Sequence, residues 1–387
     1  MPPVLYLFAL TNLVIGTGAF VLSGILKPMS EALGVSVAVA GQAMTAYALA
    51  SALVAPLLIV ATGRWPRKRA IALALTLFTS GCVVSALATS MPLLLAGRVL
   101  MGAGSMFSAL ASGLVVGMVA PALRGRALSM SFLGISLSYA IGLPLGTWLG
   151  FAYDWHAPLW LVAACGALAT LALTALLPPS AAAPSASFSG VGPLLKNGPV
   201  LRVWLRTLLY FIAIFSVFAY VGPVLQALNP MSPAQLSFTL VLFGLSGVVG
   251  TVSGGWAADR FGPIRALRIQ LGVLAGMMVL VPLTQGHYAW CVGVMVVWGI
   301  AGFGMMAPQQ SRLAGIAPQQ APLLLSLNSS MLYVGTALGA VISGAFIDTL
   351  GFARLSWVGL PFALLALVTL WFDTAMVAPQ PIAPQSR

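Results

Sequence analysis

The stretch Leu93-Leu-Leu-Ala-Gly-Arg98-Val-Leu-Met-Gly102-Ala-Gly104-Ser-Met-Phe-Ser-Ala109 places one permanent positive charge inside a segment apolar enough for a bilayer. A charged side chain well inside hydrocarbon costs about 3 kcal/mol on insertion scales, so it normally faces a bundle interior or a wet cavity. Snorkelling to the nearer interface is the competing reading. Scarcity decides between them, because every other charge in the chain can be placed in a loop or at a helix end. Gly102 and Gly104, with Ser105 and Ser108, add a small-residue face on which a neighbouring helix can approach closely. Arg98 therefore reads as the charged hub of an all-α integral membrane protein.

Composition agrees. Of 387 residues, 60% are hydrophobic and 6% charged, and the mean hydropathy is +1.05; no soluble globular domain has that balance. The net charge of +12 lies in short loops between apolar runs, which is a topology signal rather than a nucleic-acid footprint. Cys82, Cys165 and Cys291 each fall inside an apolar run, without the spacing of a disulfide framework or a metal site. The first apolar run is of full spanning length and reads as an uncleaved first span. Trp148, Trp155 and Trp290, near span ends, fit an interfacial belt.

Twelve runs are long enough to cross about 30 Å of hydrocarbon. They cover Val4–Leu26, Val39–Ala61, Ala70–Ala88, Pro92–Val119, Ala127–Leu149 and Pro158–Leu177, then Val203–Leu228, Gln235–Ala258, Leu267–Leu283, Ala289–Leu313, Pro322–Ile347 and Trp357–Phe372. A Pro/Ser/Ala-rich segment without apolar periodicity separates the sets. The expected organisation is a six-helix bundle over 1–177, a linker over 178–200, a second bundle over 201–374 and a tail over 375–387.

Orientation follows from Lys and Arg. Alternate loops on one side, with the C-terminal tail, hold 14 of the 17, among them Arg64, Arg124, Arg126, Arg202, Arg206, Arg260, Arg265, Arg312 and Arg387. The opposite loops hold Lys27 and Arg354. Both termini are therefore expected in the cytoplasm. The halves also echo one another. Arg98-Val-Leu-Met-Gly102-Ala-Gly104-Ser-Met106 parallels Trp298-Gly-Ile-Ala-Gly302-Phe-Gly304-Met-Met306, and Gly142-x3-Gly146 parallels Gly335-x3-Gly339. Six plus six spans entered from the same side form a parallel repeat about an axis normal to the membrane.

At these residues the chain resembles the major facilitator superfamily, and within it the bacterial sugar/arabinose-efflux-permease-like and drug:H⁺ antiporter-like exporters. Gly255-Trp-Ala-Ala-Asp259-Arg260-Phe-Gly262-Pro-Ile-Arg265 is similar to the G-x-x-x-D-R-x-G-R loop signature in its second-half position. Arg98-x3-Gly102-x-Gly104 resembles the Arg motif of helix 4, and Gly142-Leu-Pro144-Leu-Gly146-x3-Gly150 the exporter motif of helix 5. Asn328 to Gly339, with Tyr333 and Gly335, is similar to the helix 11 pattern of the arabinose-efflux branch. Three positions depart from these patterns: Gly63 replaces an Asp before Arg64, Ala19-Phe20 replaces Glu-Phe in span 1, and Asp154-Trp155-His156 replaces Gly-Trp-Arg.

The resemblance implies a multi-pass transporter of the bacterial inner membrane that works as a monomer. It would export a sugar, a nucleoside or an amphipathic drug by alternating access in exchange for protons. An importer or uniporter is the alternative, and a non-transporting membrane sensor a remote one. No cofactor, metal or nucleic acid is expected. The sequence contains no ATP-binding P-loop, so a gradient must supply the energy. An intramembrane enzyme is excluded for want of membrane-embedded His or Asp in a catalytic pattern.

Arg98, Arg64, Gly255, Asp259, Arg260, Gly262 and Arg265 are the expected coupling and gating residues. Gly142, Pro144, Gly146 and Gly150 form the exporter-motif helix. Polar side chains within spans are cavity candidates near the midplane: Asn12, Thr17, Tyr47 and Tyr139 in the first half, and Tyr220, Gln309, Asn328 and Tyr333 in the second. The five carboxylates, Glu31, Asp154, Asp259, Asp348 and Asp373, all fall in loops or at helix ends. Glu31 and Asp348 are the candidate proton sites.

Overall fold

The computed structural model describes residues 4–118, 130, 133–177, 191–316 and 321–374. Arg124, Arg126, Arg387, residues 178–190 of the linker and the tail 375–387 lie outside the described residues. Helix α1 has two arms, Val4–Phe20 and Leu22–Leu33, bent by 43°. There follow α2 (Val37–Ala61), α3 (Arg67–Ala86), α4 (Met91–Val115), α5 (Leu133–Ala152) and α6 (Ala157–Leu176). The second half has α7 (Gly198–Phe218), α8 (Pro233–Phe261), α9 (Pro263–Thr284), α10 (Tyr288–Leu313), α11 (Leu323–Leu350) and α12 (Phe352–Asp373). With the bent pair counted as one, the described residues form twelve apolar spans.

Helix α7 begins earlier than expected, inside the range assigned to the linker. Asn197 caps it, its side chain accepting from Val200 N at 3.2 Å, and Gly198-Pro199 occupies its first turn, where a missing Pro N–H costs nothing. This corrects the placement of Arg206, which sits inside α7 with no solvent exposure rather than in a loop. Trp155 is likewise buried (2% exposed), against His156, whereas Trp148 and Trp290 are exposed as a belt requires.

The breaks in the spans have local causes. Proline lacks an amide hydrogen and clashes with the carbonyl four residues earlier. Pro56 and Pro144 each follow a π-helical turn, over Ala50–Val54 and Ser138–Gly142, which widens the helix ahead of the ring. Pro28 lies just after the non-helical Ile25 (φ −119°, ψ 19°). Pro223 faces the carbonyl of Ala219, where α7 breaks before continuing as Val221–Leu228. Helices α4 and α10 are interrupted at Ser105 and Met305, each directly after the second glycine of the repeated motif.

Contact between the halves is concentrated away from the end that carries most of the arginines, here the basic face. The second arm of α1 packs on Val221–Leu228, the Val37–Leu49 part of α2 on α11, and residues 138–152 of α5 on α8. Val4–Phe20 of α1, Ala55–Ala61 of α2 and Gly198–Phe218 of α7, nearer the basic face, pack mainly within their own halves. The described bundle is closed at one end and parted at the other.

Candidate functional site

The first half is organised around the guanidinium of Arg98, which is fully buried. The last carbonyls of a helix have no intrahelical donor, and the break in α1 creates such a set in mid-membrane. Arg98 Nη1 donates to Gly18 O at 2.6 Å and Nη2 to Ala19 O at 2.7 Å. The next carbonyl, Phe20 O, accepts from Ser23 Oγ at 2.7 Å. Nε reaches Ala43 O of α2 at 3.1 Å, so one side chain ties α4 to α1 and α2. The negative end of the first α1 arm also favours a cation there. Its partners are backbone oxygens, at the position where the resemblance would put an acid.

The guanidinium lies 4.8 Å from the ring centre of Tyr47, within cation–π range. Tyr47 in turn approaches Tyr333 of α11 edge-on at 6.5 Å. The hub thus reaches the second half through two aromatic rings. Beside it Phe20 stacks on Tyr139 at 4.8 Å, and these first-half rings meet Phe215 and Phe218 of α7 and Phe303 of α10 at 4.7–6.0 Å. Phe20, Tyr139, Phe303 and Tyr333 are only half-buried. They form an aromatic cluster at the junction of the halves, which carries the Tyr139 and Tyr333 hydroxyls.

The exporter-motif glycines have a mechanical role. Gly142, Gly146 and Gly150 of α5 face Thr17, Val21 and Ile25 of α1, and a Cβ at any of them would overlap those side chains. The stripe seats α5 along both arms of the bent helix, with buried Pro144 between its first two glycines. Thr17 turns its hydroxyl back onto Leu13 O at 2.8 Å.

The closed end is a seam of tight contacts. A Cβ on Gly222 would lie 2.6 Å from Gly24 O across the seam. Tyr220, at the break in α7, is fully buried. Its ring fills the space beside Gly41 of α2, its hydroxyl lies against Gly344 of α11, and it donates to Ala340 O at 3.0 Å. The structure therefore puts Tyr220 in the seam rather than in the aromatic cluster at the junction.

The amides are likewise engaged within their own halves. Ser108 donates to Asn12 Oδ1 at 2.7 Å, linking α4 to α1. Gln309 Nε2 donates to Val203 O at 2.7 Å and to Thr207 Oγ at 2.9 Å, and Thr207 donates to Asn328 Oδ1 at 2.7 Å. These bonds join α7, α10 and α11. Glu31 and Asp348 are exposed at the closed end.

At the basic face, α8 turns into α9 at Gly262, whose φ of 81° and ψ of 153° suit only glycine. Arg260 lies 5.9 Å from the Trp256 ring. Arg64, Asp259 and Arg265 are exposed, Gly255 is half-buried, and Asp259 makes no ion pair among the described residues.

One cluster escaped the sequence reading. Asp373, at the end of α12, is 1% exposed and accepts from Arg206 Nη2 at 2.6 Å. Arg202 Nε approaches its other oxygen at 3.4 Å, and Arg312 of α10 lies 3.9 Å away. The available signal was the i, i+4 spacing of Arg202 and Arg206, which puts both on one helix face.

Two six-span halves with broken helices and an aromatic cluster at their junction define a membrane transporter architecture. A model of the Major Facilitator Superfamily matches residues 8–319, and the chain belongs to that family. It is 30% identical to the Escherichia coli (strain K12) "Inner membrane transport protein YdhP", over 95% of each chain. Identity to a "Probable sugar efflux transporter" of Helicobacter pylori (strain G27) is 26%, over 95% of this chain and 94% of the relative. Among solved structures, an inward-facing, occupied bacterial homologue of the human lysosomal transporter Spinster superposes with a TM-score of 0.83 at 16% identity, covering 98% of each chain. The D-xylose-proton symporter gives 0.79 at 16% identity, covering 95% of this chain and 96% of that one. The chain is a multi-pass membrane transporter, and its family and fold are those of transporters rather than enzymes.

Proposed function

We propose that this transporter exports a small amphipathic organic molecule with an aromatic or otherwise flat apolar face, by alternating access and in exchange for protons. The observation that carries the reading is the aromatic cluster at the junction. Rings from both halves meet there, hydroxyls supply its polarity, and Asn12, Gln309 and Asn328 each bond within their own halves, leaving Gln309 Oε1 as a buried acceptor without a partner among the described residues. Aromatic faces at 4.7–6.0 Å spacing suit stacking and edge contacts. The basic face is taken as cytoplasmic by the positive-inside rule, so the parted end opens toward the cytoplasm. The Asp259–Arg265 turn would latch that end in the opposite state, consistent with an Asp259 that makes no ion pair among the described residues here. The Gly142–Gly150 stripe supports export through its resemblance to the exporter motif. A relative named as a sugar efflux transporter keeps sugars in the test panel.

A second reading, uniport without protons, is favoured by the partners of Arg98, which are carbonyls rather than a titratable carboxylate. Proteoliposomes loaded with a pH-sensitive dye separate the two when challenged with amphipathic aromatic compounds, nucleosides and sugars. Antiport predicts proton movement that depends on an aromatic substrate and disappears in Arg98→Ala. Flux without proton movement selects uniport, and transport of sugars alone overturns the proposed substrate class.

A further inference from the structure

The turn between α5 and α6 departs from the resemblance in one chemically specific way. The third residue of Asp154-Trp155-His156 is a histidine where the pattern has an arginine, so a permanent cation gives way to a side chain whose charge changes near neutrality. Both ring nitrogens of His156 face oxygens. Nδ1 lies 2.8 Å from Asp154 Oδ2, and Nε2 lies 3.2 Å from the carbonyl of Ala88, in the turn between α3 and α4. Neither oxygen can donate: one is a backbone carbonyl, and the Asp154 carboxyl, 58% exposed, is ionised near neutrality. A neutral imidazole has one N–H and would set a nitrogen lone pair against one of these oxygens, whereas the imidazolium donates to both. The ring is stacked on buried Trp155 at 3.8 Å, yet the side chain keeps 27% exposure, so protons from solvent reach it.

We propose that His156 is a proton-binding site on the face opposite the basic one, and that its protonation holds that end of the transporter closed. Protonated, it bonds the α5–α6 turn to the α3–α4 turn; neutral, it keeps one bond and releases the other. The link to Ala88 matters because α4 is tied to α1 and α2 through Arg98, while residues 138–152 of α5 pack on α8 of the other half. The staple thus fixes the α5 side of the seam to the rest of its own half. Among the described residues no other titratable group pairs with the ring. The turn Leu87–Ser90 has none, and Arg98, the one charge on α4, is bonded to backbone carbonyls. The second α1 arm carries Lys27 and Glu31, both exposed and in no ion pair among the described residues. Near the staple, Cys82 of α3, Tyr139 of α5, Tyr153 of the turn and Cys165 of α6 are of types uncharged near neutrality. Acid on this face therefore favours closure, and the bond to Ala88 is lost as pH rises through the histidine titration. The physiological direction rests on the proposed function: with the basic face cytoplasmic, outside protons hold the outer end shut while the carrier loads from within.

The test uses the folded, detergent-solubilised full chain without substrate. In His287→Gln, His156 is the one remaining histidine, and the nitrogen resonances of its ring report protonation directly. Both nitrogens should carry protons at the acid end of a range of about pH 5–8 and one should lose its proton toward the alkaline end. Spin labels at positions 39 and 346, exposed on α2 and α11 at the closed end, follow closure in a cysteine-free background. Raising the pH across that range should increase the ratio of long to short 39–346 distances about three-fold, the size of one partly exposed charged contact. His156→Arg should stay closed and His156→Gln should stay shifted toward open, each without pH dependence. A merely structural histidine would displace both variants in the same direction. A ring that stays neutral throughout, a distance ratio that is flat with pH in the chain with His156 intact, or a pH dependence that persists in either variant overturns the proposal. Neither readout contains substrate or a proton gradient. Absence of proton movement in the transport assay would therefore remove antiport and leave this switch in place.

Discussion

The two halves of the transporter repeat one another, yet at equivalent positions one carries a charge and the other a ring. Arg98 of α4 and Trp298 of α10 occupy the same place in the repeated Gly-x-Gly motif, and both are buried. Arg98 ties three helices together through carbonyls that the break in α1 sets free. Trp298 packs against Phe243 at 5.6 Å, and its indole N–H has no partner among the described residues. The second half keeps its buried ion pair at the basic end, between Arg206 and Asp373. Symmetry of helices therefore does not extend to electrostatics. The first half has a charged midpoint, and the second an aromatic midpoint with a charged end.

This contrast can be broken from either side. Arg98→Met should have the largest effect, since it orphans three backbone carbonyls at about 1–3 kcal/mol each. A large fall in thermal stability and loss of transport are expected. Trp298→Phe, the equivalent change in the other half, removes an unpartnered N–H together with part of a buried ring and should cost about 1–2 kcal/mol, well below Arg98→Met. Equal losses in the two variants, measured by thermal unfolding in detergent, would erase the distinction.

Next in size is Arg206→Met. It leaves Asp373 buried without its closest cation and should cost about 3–5 kcal/mol. The double variant Arg206→Met/Asp373→Leu should recover much of that, and failure to recover would show that the pair does more than neutralise itself.

At the seam, Gly41→Val forces Tyr220 out of its slot and should slow transport several-fold while leaving the folded fraction unchanged. Flux assays beside size-exclusion profiles check this, and normal flux would mean that closure does not depend on the slot.

The smallest effect concerns the loop between α5 and α6. Partial burial raises the Asp154 pKa, but the hydrogen bond and charge of His156 outweigh it, so the carboxyl titrates below its ordinary value. The pair then contributes stability above the ordinary carboxylate pKa of about 4 and loses it as pH falls through the lowered value. The Asp154 side chain is 58% exposed, so the contribution is below about 1 kcal/mol. Comparing thermal unfolding of the wild type and Asp154→Asn across pH 3–6, on the order of the titration range, should show the gap closing toward the acid end.

Much of this architecture was legible in the sequence because hydrocarbon imposes lengths and penalties that composition records. Twelve apolar runs, one stranded arginine and the glycine stripe of α5 all follow from that constraint. The aromatic junction was only half legible. Tyr47, Tyr139 and Tyr333 do meet at the junction, but Asn12, Gln309 and Asn328 bond to neighbouring helices, and near-uniform apolarity hides which face of a helix turns inward. The Arg206–Asp373 pair joins residues 167 positions apart, and nothing local to either side chain announces the other. The carbonyls that satisfy Arg98 were invisible for a different reason. They belong to backbone, and a helix break leaves no residue type as its signature.

On the proposed function, the halves rock about the aromatic junction, closed at one end while parted at the other. Spin labels at positions 57 and 326, near the basic face of α2 and α11, and at 39 and 346, near the opposite face, report both ends by pulsed electron resonance. All four positions are exposed, and Cys82, Cys165 and Cys291 would first be replaced by Ala. During transport of an accepted substrate, the 57–326 distance should shorten in a subpopulation while the 39–346 distance lengthens. Two distances that stay fixed, or that change in the same direction, would contradict the account.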